Sequence, residues 1–141
     1  MEKHTVILDT NVILSGLQSR NGVSFQLLQK LLNEEYEIAV SVPLVMEYES
    51  ILKKRLVPEL YTEEDIDDVI NYLCSVAKHT RIYYLWRPYL KDAFDDHVLE
   101  VAMSSGVSYI VTYNIKDFEK AKDMGIKPIS PYDFWKRLEE G

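Results

Sequence analysis

Carboxylates stand at several points where a strand gives way to a helix, and together they suit the binding of a hard cation. Asp9 closes the apolar run Thr5-Val6-Ile7-Leu8 and is followed by Thr10 and Asn11. Alone it can be a helix cap, since Asp and Asn are common in strand-to-helix turns. Glu47 is more informative. Leu44 lies three residues before it and Ile51 four after, so it shares a helix face with apolar side chains. A carboxylate pointed at a core needs a proton, a cation or a metal. Asp92, Asp95 and Asp96 crowd the start of another helix. Acids favour helix N-termini, but three exceed what one cap needs. Asp95 reads as the cap, Asp92 as a loop residue, and Asp96 as the acid that faces inward beside Leu99. Asn114 and Asp117 follow a further apolar strand that ends at Thr112. Asp117 reads as an N-cap, and Asn114 as either a turn residue or a neutral oxygen ligand. Converging carboxylates repel one another unless a hard cation sits among them, and Mg²⁺ or Mn²⁺ prefers such oxygen donors. Such an ion can meet a phosphate and activate an attacking water.

The surrounding elements must bring these acids together. Residues 4–8 read as a buried strand. A helix capped by Asn21 or Ser24 runs to about Glu34, with Phe25, Leu28, Leu31 and Leu32 at helical spacing. A short strand follows over 36–41, then a helix from Pro43 to about Arg55. Thr62 and Asp65 form a capping-box start, and Ile66, Val69, Ile70, Leu73 and Ala77 give that helix one apolar face. Strands are expected over 80–85, 108–112 and 127–129. Helices are expected from Asp95 to Gly106, from Asp117 to Gly125, and after Ser130-Pro131. Alternating strands and helices imply an α/β fold with a parallel sheet covered on both faces. Such sheets bind ligands outside the carboxyl ends of their strands, where these acids lie.

Composition sets the outer bounds. The 141 residues are 47% hydrophobic and fit a single domain over 1–141 with a real core. No apolar run approaches a membrane span, the stretch before Asp9 is too short for a signal peptide, and Cys74 stands alone. A cytoplasmic location is expected. A net charge of −7 argues against a protein that coats nucleic acid, though not against a nuclease whose acids hold a metal. Arg20, Arg87, Lys91 and Lys116 fall in loops near the expected mouth and read equally as phosphate contacts or surface charges. A haloacid-dehalogenase-like phosphatase needs a second Asp where Asn11 stands. A receiver domain needs adjacent acids where Asp9 stands alone.

Taken in order, Leu8-Asp9-Thr10-Asn11-Val12, Glu47 after Val42-Pro43-Leu44-Val45-Met46, the segment 92–102, and Tyr109-Ile110-Val111-Thr112-Tyr113-Asn114-Ile115-Lys116-Asp117-Phe118 resemble a PIN domain over nearly the whole chain. The resemblance is nearest to the bacterial and archaeal branch related to the VapC toxins of toxin–antitoxin systems. It implies a three-layer α/β/α fold with four to five parallel strands, and Mg²⁺- or Mn²⁺-dependent cleavage of single-stranded RNA. It also implies homodimers and inhibition by a small antitoxin protein. By motif position Asp9, Glu47 and Asp96 would be the catalytic, metal-holding acids, with Asn114 as a further ligand. Thr10, Asn11 and Thr112 would support them by hydrogen bonding. Many members carry Asp where this chain has Asn114, which offers an oxygen without a charge and favours one metal over two. Asp117, Asp92 or Asp95 would compensate. The competing reading is a PIN-like module that has lost turnover and binds RNA or protein.

Overall fold

The computed structural model describes residues 3–79, 98, 101–102, 104–107 and 109–141. Strand β1 (Thr5–Leu8) leads into helices α1 (Thr10–Gln18) and α2 (Val23–Leu32). Strand β2 (Glu37–Val40) follows, then α3 (Val42–Leu56), α4 (Glu63–Val76) and the short β3 (Lys78–His79). After β4 (Tyr109–Val111) come a 3-10 segment (Ile115–Met124), β5 (Lys127–Ile129) and the C-terminal helix α5 (Pro131–Glu140). Val98, Val101, Ala102, Ser104 and Ser105 are helical as well. The strand expected over 80–85 and the first turn of the helix expected from Asp95 lie outside the described residues.

All five strands pair in parallel, in the order β3-β2-β1-β4-β5. This is the expected three-layer α/β arrangement. The chain winds outward from β1 through β2 to β3, then returns to the other side of β1 for β4 and β5. The winding direction therefore reverses between β1 and β4, and a crevice opens at the carboxyl ends of strands flanking such a reversal. Leu8 stands opposite Val111, and the Asp9 amide donates to the Val111 carbonyl at 2.9 Å, so the residues ending β1 and β4 are neighbours.

The helix ends follow local chemistry. Thr62 and Asp65 exchange both bonds of the capping box at 3.0 Å, and Ser130 caps α5 ahead of Pro131. Ser41 caps α3, with Pro43 in the first turn. Two caps differ from the sequence reading. Gly22, not Asn21 or Ser24, precedes α2, because Ser24 is buried with its hydroxyl on Tyr113. Asn114, not Asp117, occupies the N-cap of the 3-10 segment, while Asp117 sits in its first turn and donates its amide to the Asn114 carbonyl at 3.0 Å. The segment ends as expected at Gly125, whose φ of +80° is the left-handed region that glycine adopts freely.

Helix α1 was not evident from the sequence. It packs on α2 at Gly16, where an added Cβ would stand 2.6 Å from Leu28 Cδ1 and 3.1 Å from the Ser24 carbonyl. Tyr hydroxyls, one buried and one partly buried, tie elements together through backbone carbonyls. Tyr36 donates to Leu27 O at 2.7 Å, and Tyr61 to Leu17 O at 2.8 Å.

Candidate active site

Asp9 lies at the mouth of the crevice, 6% exposed. It is the N-cap of α1, and its Oδ1 accepts from the Thr10 amide at 2.9 Å. Its Oδ2 accepts from the hydroxyl of fully buried Thr112 at 2.7 Å, across the β1–β4 junction. The Thr112 hydroxyl in turn accepts from the Asn114 amide at 2.9 Å. One carboxylate thus serves both the helix and the site.

Glu47 reaches Asp9 through Thr10, whose hydroxyl donates to Glu47 Oε2. The fully buried stripe of α3 is Leu44, Tyr48, Leu52 and Leu56, so Glu47 stands half-buried at its edge. Tyr48 anchors this helix to the strand: its hydroxyl donates to the Leu8 carbonyl, one residue before Asp9. Burial holds the Tyr48 phenol well above its ordinary range, so it stays a neutral donor beside two acids.

Burial also pushes the Asp9 carboxyl up, from 3.8 to about 6. The Thr112 hydroxyl and the Thr10 amide pull it back, and the negative charges of Glu47 and Asp117 add to the rise. Although exposed, Asp117 is thus within electrostatic reach of Asp9. Asn114 is exposed, and its side chain makes no cap hydrogen bond. It lines an open cleft of about 570 Å³ together with Asp9, Thr10, Asn11, Glu47 and Arg55. The Asn11 side chain accepts from the Tyr113 amide at 3.5 Å and so braces α1 against the end of β4.

Asp92, Asp95 and Asp96 lie outside the described residues, as do Arg87 and Lys91. Among the described residues, no three metal-ligating side chains stand together. Arg20 and Lys116 are exposed and are not among the residues lining the cleft, whereas Arg55, which the sequence reading passed over, is one of them. Its signal was the spacing Glu47-Ile51-Arg55, which sets one helix face.

The donor set fits a hard divalent cation. Asp9 spends one lone pair of each oxygen on a protein donor and keeps the others. The hydrogen bond from Thr10 goes to one Glu47 oxygen only. Two carboxylates share one hydroxyl-bearing residue, and the deeper one resists ionising without a compensating positive charge. That is the electrostatic state a bound cation relieves.

The PIN domain profile matches residues 5–116, from the start of β1 past the end of β4. The chain belongs to the PIN domain family. Members of the family are generally nucleases, and the acids at this PIN domain's β1–β4 junction sit where its sheet reverses. The fold also matches the structure of VapBC2 from Rickettsia felis bound to a DNA fragment from their promoter, with a TM-score of 0.61 at 15% identity over 89% of this chain and 98% of that one. It matches FitAB bound to an IR36 DNA fragment, with a TM-score of 0.62 at 19% identity over 90% of this chain and 95% of that one. No curated protein matches the chain in sequence.

Thr112 is the most testable support residue. Thr112→Val keeps the shape but removes the donor to Asp9 and the acceptor for the Asn114 amide. A cost of about 1–3 kcal/mol is expected for groups left unsatisfied. Thr112→Ser restores most of it. Chemical denaturation in EDTA checks both; a Val variant as stable as the Ser variant would show the bridge to be idle.

Proposed function

We propose that this PIN domain is a Mg²⁺- or Mn²⁺-dependent endoribonuclease that hydrolyses single-stranded RNA, and that it acts in the cytoplasm as the toxin of a toxin–antitoxin pair. The observation that carries the reading is the coupling of Asp9 and Glu47 through Thr10 at the β1–β4 junction. Family membership supports hydrolysis of a phosphodiester. The kinship of fold with VapBC2 and FitAB supports a small antitoxin partner, and a homodimer is proposed with it.

Asp9 and Glu47 would hold the ion, with the Asn114 side-chain oxygen at the rim and Asp96 proposed as the third acid. When bound, the ion would polarise the scissile phosphate and supply a nucleophilic water at neutral pH. The chain's own residues do the rest. The Thr10 amide and the Thr112 hydroxyl fix the Asp9 carboxylate in one orientation. Tyr48 fixes the backbone that carries it. The Thr10 hydroxyl sets the position of Glu47 relative to Asp9. Asn114 adds no charge, which favours one tightly held ion over an evenly matched pair. The test is cleavage of a mixed single-stranded RNA pool with Mn²⁺ by the wild type and by Asp9→Asn. Cleavage lost in the variant is expected. A wild type that neither cuts RNA nor is stabilised by Mn²⁺ would leave a binding module that has lost turnover.

A further inference from the structure

The cleft that holds Asp9 and Glu47 also holds a cation at its other end. Glu47, Ile51 and Arg55 lie at successive i, i+4 positions and all three line it. Eight residues of helix separate Glu47 from Arg55 by about 12 Å along the axis. Arg55 is therefore too distant to pair with Glu47 directly. It is exposed, and among the described residues it forms no salt bridge. Its neighbour Lys53, by contrast, is committed to Glu49 at 2.9 Å and Asp67 at 2.8 Å. Between Glu47 and Arg55 the helix lines the cleft with Ser50 and Ile51, and Leu14, Pro43 and Met46 add apolar surface to the same cleft. Met46, one of the lining residues, is 65% exposed. A strand of alternating phosphates and bases fits this alternation of charge and apolar surface. A chain of net charge −7 needs such a local cation to dock a polyanion.

We propose that Arg55 binds a backbone phosphate flanking the cut, and that the cleft between Arg55 and Asp9 is the track of the single-stranded RNA. The proposal rests on the ribonuclease reading above. Arg55 is a substrate-binding residue whose guanidinium can grip phosphate oxygens in bidentate fashion. The experiment compares wild type, Arg55→Gln and Arg55→Lys on a single-stranded oligoribonucleotide with Mn²⁺ over a series of salt concentrations. Losing one charged contact is expected to raise KM about tenfold in the Gln variant, with kcat held within about twofold. The slope of log affinity against log salt should shrink by about 0.7, the share of one phosphate on a single strand. The Lys variant should keep that slope while losing part of the affinity. Arg55 is exposed, so all three proteins should melt alike. A Gln variant that cuts RNA with unchanged KM and salt slope overturns this proposal alone. A wild type that neither binds nor cuts RNA overturns the ribonuclease reading and this proposal with it.

Discussion

In EDTA at pH 8, Asp9→Asn is expected to be more stable than the wild type by about 2–3 kcal/mol, and the gain should vanish near pH 4. The reason is the buried, raised carboxyl of Asp9, at about 6 in the folded state against 3.8 unfolded. A raised acid binds its proton more tightly when folded, so the folded state holds the extra proton between those values. The stabilising contribution is full below 3.8 and falls as pH rises through 6. Each pH unit of the gap is worth about 1.4 kcal/mol, which gives about 3 kcal/mol in total. Asparagine keeps an oxygen for the Thr10 amide and carries no charge to bury. All other acids are common to both proteins, so the difference between the two pH profiles isolates Asp9. The metal response should have the opposite sense. Mn²⁺ should raise the Tm of the wild type at pH 8 and leave Asp9→Asn unmoved, because an ion that binds only the folded state stabilises it by mass action. A variant that is less stable than the wild type at pH 8 would show that Asp9 is a structural cap first. Proteins commonly trade stability for a charged site in this way.

Glu47→Gln should reduce the cleavage rate by at least about 100-fold, the scale seen when one group that stabilises developing charge or holds an ion is removed. The substitution keeps the side-chain oxygen that accepts from Thr10 and removes only the charge. Glu47 is half-buried at the edge of the α3 stripe, so the fold should survive with a Tm close to the wild type. Cleavage of an end-labelled RNA and a melting curve on the same sample separate the two effects. Loss of both together would mean that Glu47 stabilises the fold and does not serve the reaction.

The parts of this structure legible in the sequence are those written in short-range patterns. The run Thr5–Leu8 is β-branched and apolar and forms β1. Thr62 with Asp65, and Ser130 with Asp133, form their caps because the bonding partners lie three residues apart. Helix α1 was hidden. Val12 and Ile13 are β-branched, and Ser15 and Gly16 are weak helix formers, so local propensity argues against it. It forms because Asp9 caps it and because Val12, Ile13 and Gly16 are buried by the packing around it. Gly16, poor on propensity, is what lets α2 approach so closely. Tertiary contact overrode the local signal.

The candidate site divides the same way. Glu47 stood out because its helix neighbours are apolar. The contact of Thr112 with Asp9 spans 103 positions and exists only because β4 pairs with β1. No spacing rule reads that from one sequence. Tyr48 was equally invisible as a positioning residue, since a buried Tyr looks like any core aromatic until its hydroxyl is seen on the Leu8 carbonyl. Asp117 misled for the opposite reason. An acid near a helix start is an ordinary cap signal, yet the break in the backbone falls three residues earlier at Asn114.

The most direct test of the Asp9–Glu47 centre is a single cleavage assay on end-labelled single-stranded RNA. Wild type, Asp9→Asn and Glu47→Gln are each incubated with Mn²⁺ and with excess EDTA, and the chemistry of the product ends is read. Attack by water predicts fragments with a 5′-phosphate from the wild type with Mn²⁺ only, and intact RNA in every other lane. Cleavage that persists in EDTA or in either variant, or that leaves cyclic phosphate ends from attack by the RNA's own 2′-hydroxyl, would contradict the account.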